Sequence, residues 1–294
     1  MTEPGRAILG WPALGKRLCC LGGKQMRTIG ALVMTLAWTI LPASGQERAA
    51  LPRARQACGS SEIRQDRLLE VTSQGDLVLE NGRLARLAAI RLPDEGPRRD
   101  EALAWLRART GRPVAVEGPA ERDRWSRLVV GLRLLDAPEA DDLGRGLVAA
   151  GLGLVDPGAA EGLCHPALLA LERKARELSL GVWQDDRYKP IDSDDRDRLR
   201  ARFGSFVLVE GRVRSIGERS QRTYLNFGEH WSEDFTIIIP TRTWKLMRAH
   251  GLDPAALRGQ RIRARGILEP WQGAALTVFI PEMIERLAGE RLPR

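Results

Sequence analysis

Asn81-Gly82-Arg83-Leu84-Ala85-Arg86-Leu87-Ala88-Ala89-Ile90-Arg91-Leu92-Pro93-Asp94 is the stretch on which the fold turns. Asn-Gly supplies two turn positions that tolerate positive φ, a strong hairpin signal. The strand it returns is expected from Leu84 to Ile90 and stops before Pro93, whose ring removes a backbone donor. Upstream, Leu68 to Val71 and Leu77 to Leu79 are short β-prone runs. Downstream, a helix is predicted over Glu101 to Thr110, with Asp100 as N-cap and Gly111 just past its end. Val114 and Val116 alternate as a strand, and Leu128 to Leu135 forms a longer one. Two helices follow: Leu143 and Leu147 stripe the first, ended by Gly151. The second opens at Pro166 and carries Leu168, Leu171, Ala175 and Leu178 at helical spacing.

Three strands, a helix, two strands and a helical pair is the order of a small curled barrel of the OB type, which places residues 61–183 in a mainly β, α+β class. Residues 184–202 are highly charged and poor in apolar groups, and are expected as a solvated linker with helix toward its end. The order returns in residues 203–290, with strands at Phe206 to Ile216, Thr223 to Phe227 and Phe235 to Ile239. A helix at Arg242 to His250 and strands at Arg261 to Leu268 and Ala275 to Ile280 complete it. The expectation is a second OB-like barrel of similar plan and unrelated sequence.

Hydrophobic content of 43% and charged content of 29% suit a folded soluble chain and exclude both a disordered and a multi-span one. Residues 1–45 read as an export signal: Arg27, the apolar run Ile29 to Leu41, then Pro42-Ala43-Ser44-Gly45 with cleavage before Gln46. Met26 fits as the true start. The run is short of the about 20 residues a bilayer span needs, so a periplasmic or secreted protein with no stable membrane span is expected. Once residues 1–45 are removed, 41 basic groups face 37 acidic ones, a mildly basic balance compatible with a polyanionic partner. Cys58 and Cys164 then remain as an even pair in an exported chain, read either as a disulfide or as two buried thiols. A loop of that length would contribute about 4–5 kcal/mol in the chain-entropy model.

Gly75-Asp76, Arg86, Pro93, the turn Asp123-Arg124-Trp125-Ser126-Arg127 and the closing Gly181-Val182-Trp183 occur in a fixed order over about 120 residues. That ordered set resembles the thermonuclease (staphylococcal nuclease-like) domain family. The family pattern has Gly-Asp-Thr after the first strand and a strand arginine leading to Asp-Thr/Ala-Pro-Glu. An Asp-x-Tyr-Gly-Arg turn and a final Gly-x-Trp follow. The resemblance implies phosphodiester hydrolysis of DNA or RNA. Two arginines grip the phosphate, carboxylates hold calcium, and a glutamate prepares the water. By position it assigns the arginine roles to Arg86 and Arg127 and the first calcium carboxylate to Asp76. Asp94 takes the glutamate's place, with Glu95 adjacent as its stand-in.

Arg91 stands where the second calcium carboxylate belongs, and Leu77 and Leu92 replace the small or hydroxylic neighbours. Calcium takes six to eight oxygens, several anionic, and a guanidinium reverses the local charge. Either Arg86, Arg91 and Arg127 form a metal-free anion site that holds nucleic acid uncut, or hydrolysis survives with Arg91 replacing part of the metal's charge. A supply of the missing ligand by Glu95 through a bulge would restore calcium. A third reading is a protein-interaction module of the cell envelope.

His165, His230 and His250 lack the paired spacing of a zinc site. In the second region Tyr224, Phe227, Trp231, Phe235 and Trp271 are interleaved with Arg212, Arg214, Arg219, Arg222, Arg261, Arg263 and Arg265. Aromatics among arginines either stack bases along a strand of nucleic acid or divide between core and solvent-facing positions.

Overall fold

Gly82 turns at φ 73° and its amide donates to Leu79 O at 2.9 Å, closing the expected hairpin. The computed structural model describes residues 62–118, 122–137, 142–158, 163–230 and 232–287. The hairpin joins β2 (Leu77–Leu79) to β3 (Leu84–Leu87), preceded by the ten-residue β1 (Glu62–Val71). The returning strand is shorter than expected. Ala89 takes φ 57°, a left-handed value costly for a residue with a Cβ, and swings Ile90 out of register. The next two residues, β4 (Ile90–Arg91), therefore leave the barrel.

Helix α1 (Pro97–Arg107) begins three residues before the expected Asp100. Pro97 suits the first turn because its missing N–H would have no partner there. Strands β5 (Pro113–Gly118) and β6 (Leu128–Leu134) complete a closed ring in the order β1-β2-β3-β6-β5. β1 serves both ends of the ring: its first half pairs with β5 and its second with β2. The parallel pairing of β3 with β6 sets Arg86 opposite Val129. Leu68, Leu77, Leu79, Ala85, Val114, Val116, Leu128, Val130 and Leu132 fill the interior.

Helix α2 (Leu143–Ala149) is capped by Asp142, which accepts from the Arg145 amide at 2.7 Å. Strand β7 (Leu154–Val155) then pairs with β4, holding Arg91 opposite Leu154. Helix α3 (Ala167–Glu177) packs on α2 and leads to a tight turn at Gly181–Gln184 that buries Val182 and Trp183.

Residues 184–202 are folded rather than solvated. Tyr188, Ile191 and Leu199 are buried, β8 (Ile191–Asp192) adds in parallel to the next sheet, and α4 (Arg196–Arg200) is capped by Asp195. Three apolar residues spread among charges suffice, because each lands on a packed face.

The second region holds β9 (Phe206–Arg212), β10 (Ser215–Glu218), β11 (Arg222–Asn226) and β12 (Phe235–Pro240). Then come α5 (Thr241–Ala249), α6 (Pro254–Leu257), β13 (Arg261–Pro270), β14 (Ala274–Thr277) and β15 (Ile284–Arg286). Its strands run as an eight-stranded sheet, β10-β11-β12-β14-β13-β9-β8, with β15 beside β13. One closed five-stranded barrel is present among the described residues, and the second region stands as a mixed sheet. The single strand expected over Phe206 to Ile216 breaks at Val213-Arg214, whose amides turn to Gln260 O and Asn226 O. The fold class is α+β, as expected. Among the described residues no helix is long and apolar enough to cross a membrane.

Barrel and sheet meet at Arg265 of β13, which is fully buried. Its Nη1 donates to Val155 O at 2.9 Å, and its Nη2 pairs with Glu172 at 2.8 Å and with Glu285. Glu172 of α3 also accepts the Val155 amide at 2.8 Å. Arg263 leans on Glu210 at 2.6 Å and lies 3.6 Å from Glu285. Burial pushes the Glu285 carboxyl up, and attraction to Arg265 and Arg263 more than reverses it, leaving the group below the usual carboxylate range.

Removing one member of such a network strands buried charge, which costs about 3–5 kcal/mol. Arg265→Met is therefore expected to lower the unfolding free energy by that amount in urea titration. Arg200→Ala, at an exposed pair 3.5 Å from Asp197, should change it by less than about 0.5 kcal/mol. Equal effects would mean that the seam is solvated.

Candidate functional site

The Asp123-to-Arg127 turn leads into β6, so Arg127 enters the barrel edge one residue before Leu128. Asp123 organises the turn: its Oδ1 accepts the amides of Trp125 at 2.9 Å and Arg127 at 3.0 Å. Ser126 takes the left-handed φ of 62° at the position where the family pattern has glycine. Asp123 Oδ2 in turn accepts from Arg127 Nε at 3.0 Å and Nη2 at 2.8 Å. The remaining arm, Nη1, donates to Asp76 Oδ1 at 2.7 Å. Arg86, projecting from β3 beside β6, brings its Nε to 3.6 Å from the same Asp123 oxygen, and that buried nitrogen has no hydrogen-bond acceptor among the described residues. Four of the residues that carried the resemblance thus form one cluster at one edge of the barrel.

The turn of Asp76 is fixed by Gly75 at φ 85°, where a Cβ would lie 2.3 Å from Leu92 Cδ1. Arg99 ties the following loop to it, donating to Pro93 O at 2.9 Å and Gln74 O at 2.6 Å. Asp94 and Glu95 are exposed and make no ion pair to Arg86 or Arg127 among the described contacts. The Asp94 amide donates to Tyr188 Oη at 3.0 Å, so the loop is anchored from the segment following the barrel.

Arg91 lies apart. Its Nε pairs with Asp156 at 2.9 Å and its guanidinium stacks 4.9 Å from the ring centre of Phe206. The expected trio of Arg86, Arg91 and Arg127 is corrected to Arg86 and Arg127, because the kink at Ala89 carries Arg91 onto β4 and away from the ring.

Calcium is corrected as well. Among the described residues no group of three or more His, Cys, Asp or Glu is placed to hold a metal ion. Asp76 and Asp123, the acids nearest the site, are engaged by Arg127, and a cation entering there would compete with a guanidinium already in place. Cys164 is disulfide-bonded. Cys58, the partner expected for it, and the export segment 1–45 lie outside the described residues.

Trp125 is 57% exposed at the tip of the turn, with Arg124 at 3.9 Å and Arg127 at 4.8 Å from its ring centre. In the second region Phe227 and Phe235 are core, packed 5.0 Å apart, while Trp271 is exposed, Tyr224 half-buried, and Trp231 outside the described residues. Sequence reasoning missed Asp156, Phe206, Tyr188 and Arg99. Each acts across a long separation that no local motif signals.

No protein-family model matches this chain, and no curated protein matches it.

Four groups, two cations and two anions, sum to zero charge, so the cluster resembles a closed clasp more than an open basic patch. Burial raises the Asp123 carboxyl, but the side-chain bond from Arg127 and the two amide bonds outweigh it and hold the group below its ordinary value. Burial likewise disfavours the Arg127 charge, and the bonds to Asp123 and Asp76 overcome it. A carboxyl depressed on folding stabilises above its unfolded value, near 3.9, and loses that contribution as pH falls through the depressed value. Asp123→Asn should therefore cost about 1–3 kcal/mol at pH 7 and progressively less below about pH 4. Urea unfolding of both proteins from pH 7 down to 2.5 checks this; a difference independent of pH would contradict it.

Proposed function

We propose that the chain is an exported, thermonuclease-like protein of the OB type that binds the phosphate backbone of nucleic acid through Arg86 and Arg127 and does so without calcium. The observation that carries this reading is the convergence of both arginines on Asp123 at the β3–β6 edge, 3.6 Å and 2.8 Å away. The finer barrel assignment is supported by connectivity. In the first region the chain-order path is first, second, third, fifth and fourth strand. The second region repeats it if β9 and β10, separated by two residues, count as one bent strand.

Phosphate binds by exchange. An incoming oxyanion meets the partly exposed Arg86 side chain and displaces a carboxylate from Arg127, so binding energy is the difference between two charge-assisted sets of bonds. Such exchange holds a strand weakly and is sensitive to salt. Hydrolysis requires a positioned water and a charge opposite the developing one. No contact ties Asp94 or Glu95 to the cluster for the first task among the described residues, and the second has only the two arginines.

Fluorescence anisotropy with labelled single-stranded DNA and RNA tests the reading. Two phosphate contacts on a single strand predict a slope of about −1.4 for log K against log salt, reduced by about 0.7 in either Arg86→Ala or Arg127→Ala. Each variant should also bind roughly tenfold more weakly. The same variants incubated with DNA, with added calcium and with chelator, separate the alternatives. Calcium-dependent cleavage lost in both would replace this reading with the enzyme, and no binding at low salt would end it.

A further inference from the structure

Three of the arginines that look scattered in the sequence, Arg212, Arg214 and Arg261, are gathered by the fold around one cleft of about 880 Å³. Arg258, from the turn after α6, joins them. The cleft lies in the second region, where the β9–β10 break, the end of β11 and the approach to β13 meet the turn after β8. Its floor includes Phe227 and Val213, both buried. It shares no lining residue with the Arg86–Arg127 cluster.

The break at Val213-Arg214 makes the cleft. Because those two amides bond to Gln260 O and Asn226 O, the strand ladder is interrupted there, and Arg212 and Arg214 on either side of the break both line the cleft. Arg212 donates to Gly259 O at 2.5 Å, tying the rim to the loop that carries Arg258. Arg258 itself is exposed and makes no side-chain hydrogen bond or ion pair among the described residues. Arg261 is held only loosely, 3.4 Å from Glu210 and 3.9 Å from Asp192.

Acids share the lining, and each has a bearing on the sign of the ligand. Glu229 pairs with Arg214 at 2.8 Å in an exposed contact, a kind worth little and easily exchanged. Asp192 accepts the Asp194 amide at 3.0 Å, and Asp194 is exposed at the turn. These acids do not assemble into a cation site, since no group of three or more potential metal ligands occurs among the described residues. Arg258 has no acidic partner among the described residues and Arg214 only the exposed Glu229, so the cleft offers donors of the planar kind that match phosphate oxygens.

We infer that this cleft is a second, separate anion site, which takes a small phosphate-bearing ligand of about mononucleotide size. Its phosphate lies between Arg258 and Arg214, and its apolar part rests toward Phe227 and Val213. The volume falls within the range of small-molecule sites.

Isothermal titration of the full protein with adenosine monophosphate, and separately with inorganic phosphate, tests this and distinguishes an ester from the free ion. Saturable binding of the nucleotide is expected, weakened at least tenfold in Arg258→Ala and in Arg214→Ala. Arg200→Ala, at an exposed pair that lines neither site, should leave it unchanged, and binding removed by Arg86→Ala alone belongs to the proposed nucleic-acid site. Both cleft arginines are exposed, so circular dichroism should report folded variants. Absence of saturable binding by either probe would overturn the proposal, as would binding that is insensitive to Arg258 and Arg214 or lost in Arg86→Ala.

Discussion

A guanidinium sealed from water sets the terms for the whole arrangement. Arg265 is tolerable in the interior only because Glu172 arrives from α3, Glu285 from β15, and a backbone carbonyl from β7. Those partners come from both halves of the chain, so the charge balance fixes how barrel and sheet lie against each other. Apolar packing alone would allow sliding; a buried ion set with three directed partners does not. The constraint passes onward. Val155 is held at both its N–H and its C=O, which fixes β7, and β7 fixes its partner β4. Arg91 is thereby held over Phe206 of the sheet, a residue the resemblance had placed at a metal.

The cluster at the barrel edge obeys a different economy of charge. Arg127 is saturated by two carboxylates, and its neighbour Arg86 retains one unsatisfied nitrogen. A residue that must release a partner before taking a ligand gives a weak, exchangeable grip. Trp125 widens the surface, since its exposed ring lies against two guanidinium groups. The second region contributes a cleft of its own rather than an extension of this edge.

Much of the fold was legible because its signals are local. Asn81-Gly82 announces its hairpin through the φ values it permits, and Gly151 and Pro166 punctuate the helices through backbone geometry alone. Alternation in Val114 and Val116 gave a strand for the same reason. Legibility failed where distant residues decide. Nothing near Ala89 declares that the strand will break there, and the two-residue pairing of β4 with β7 spans more than sixty positions. Charged residues 184–202 looked solvated because composition averages over the few apolar side chains that matter. At the site, Asp76, Arg86, Asp123 and Arg127 of the motif stand in contact, but the partners of Arg91 could not be read from spacing. The sum of arginines in the second region likewise hid two fates: Arg263 and Arg265 are interior, whereas Arg212, Arg214 and Arg261 open on a cleft.

The folded passage between the halves also bears on descent. A chain cut within residues 184–202 would leave Arg265 facing no α3 on one fragment and Glu172 facing no β13 on the other. Recombination that exchanged either half for an unrelated partner would meet the same penalty. Barrel and sheet are thus coupled energetically, and neither half keeps its buried charges paired without the other.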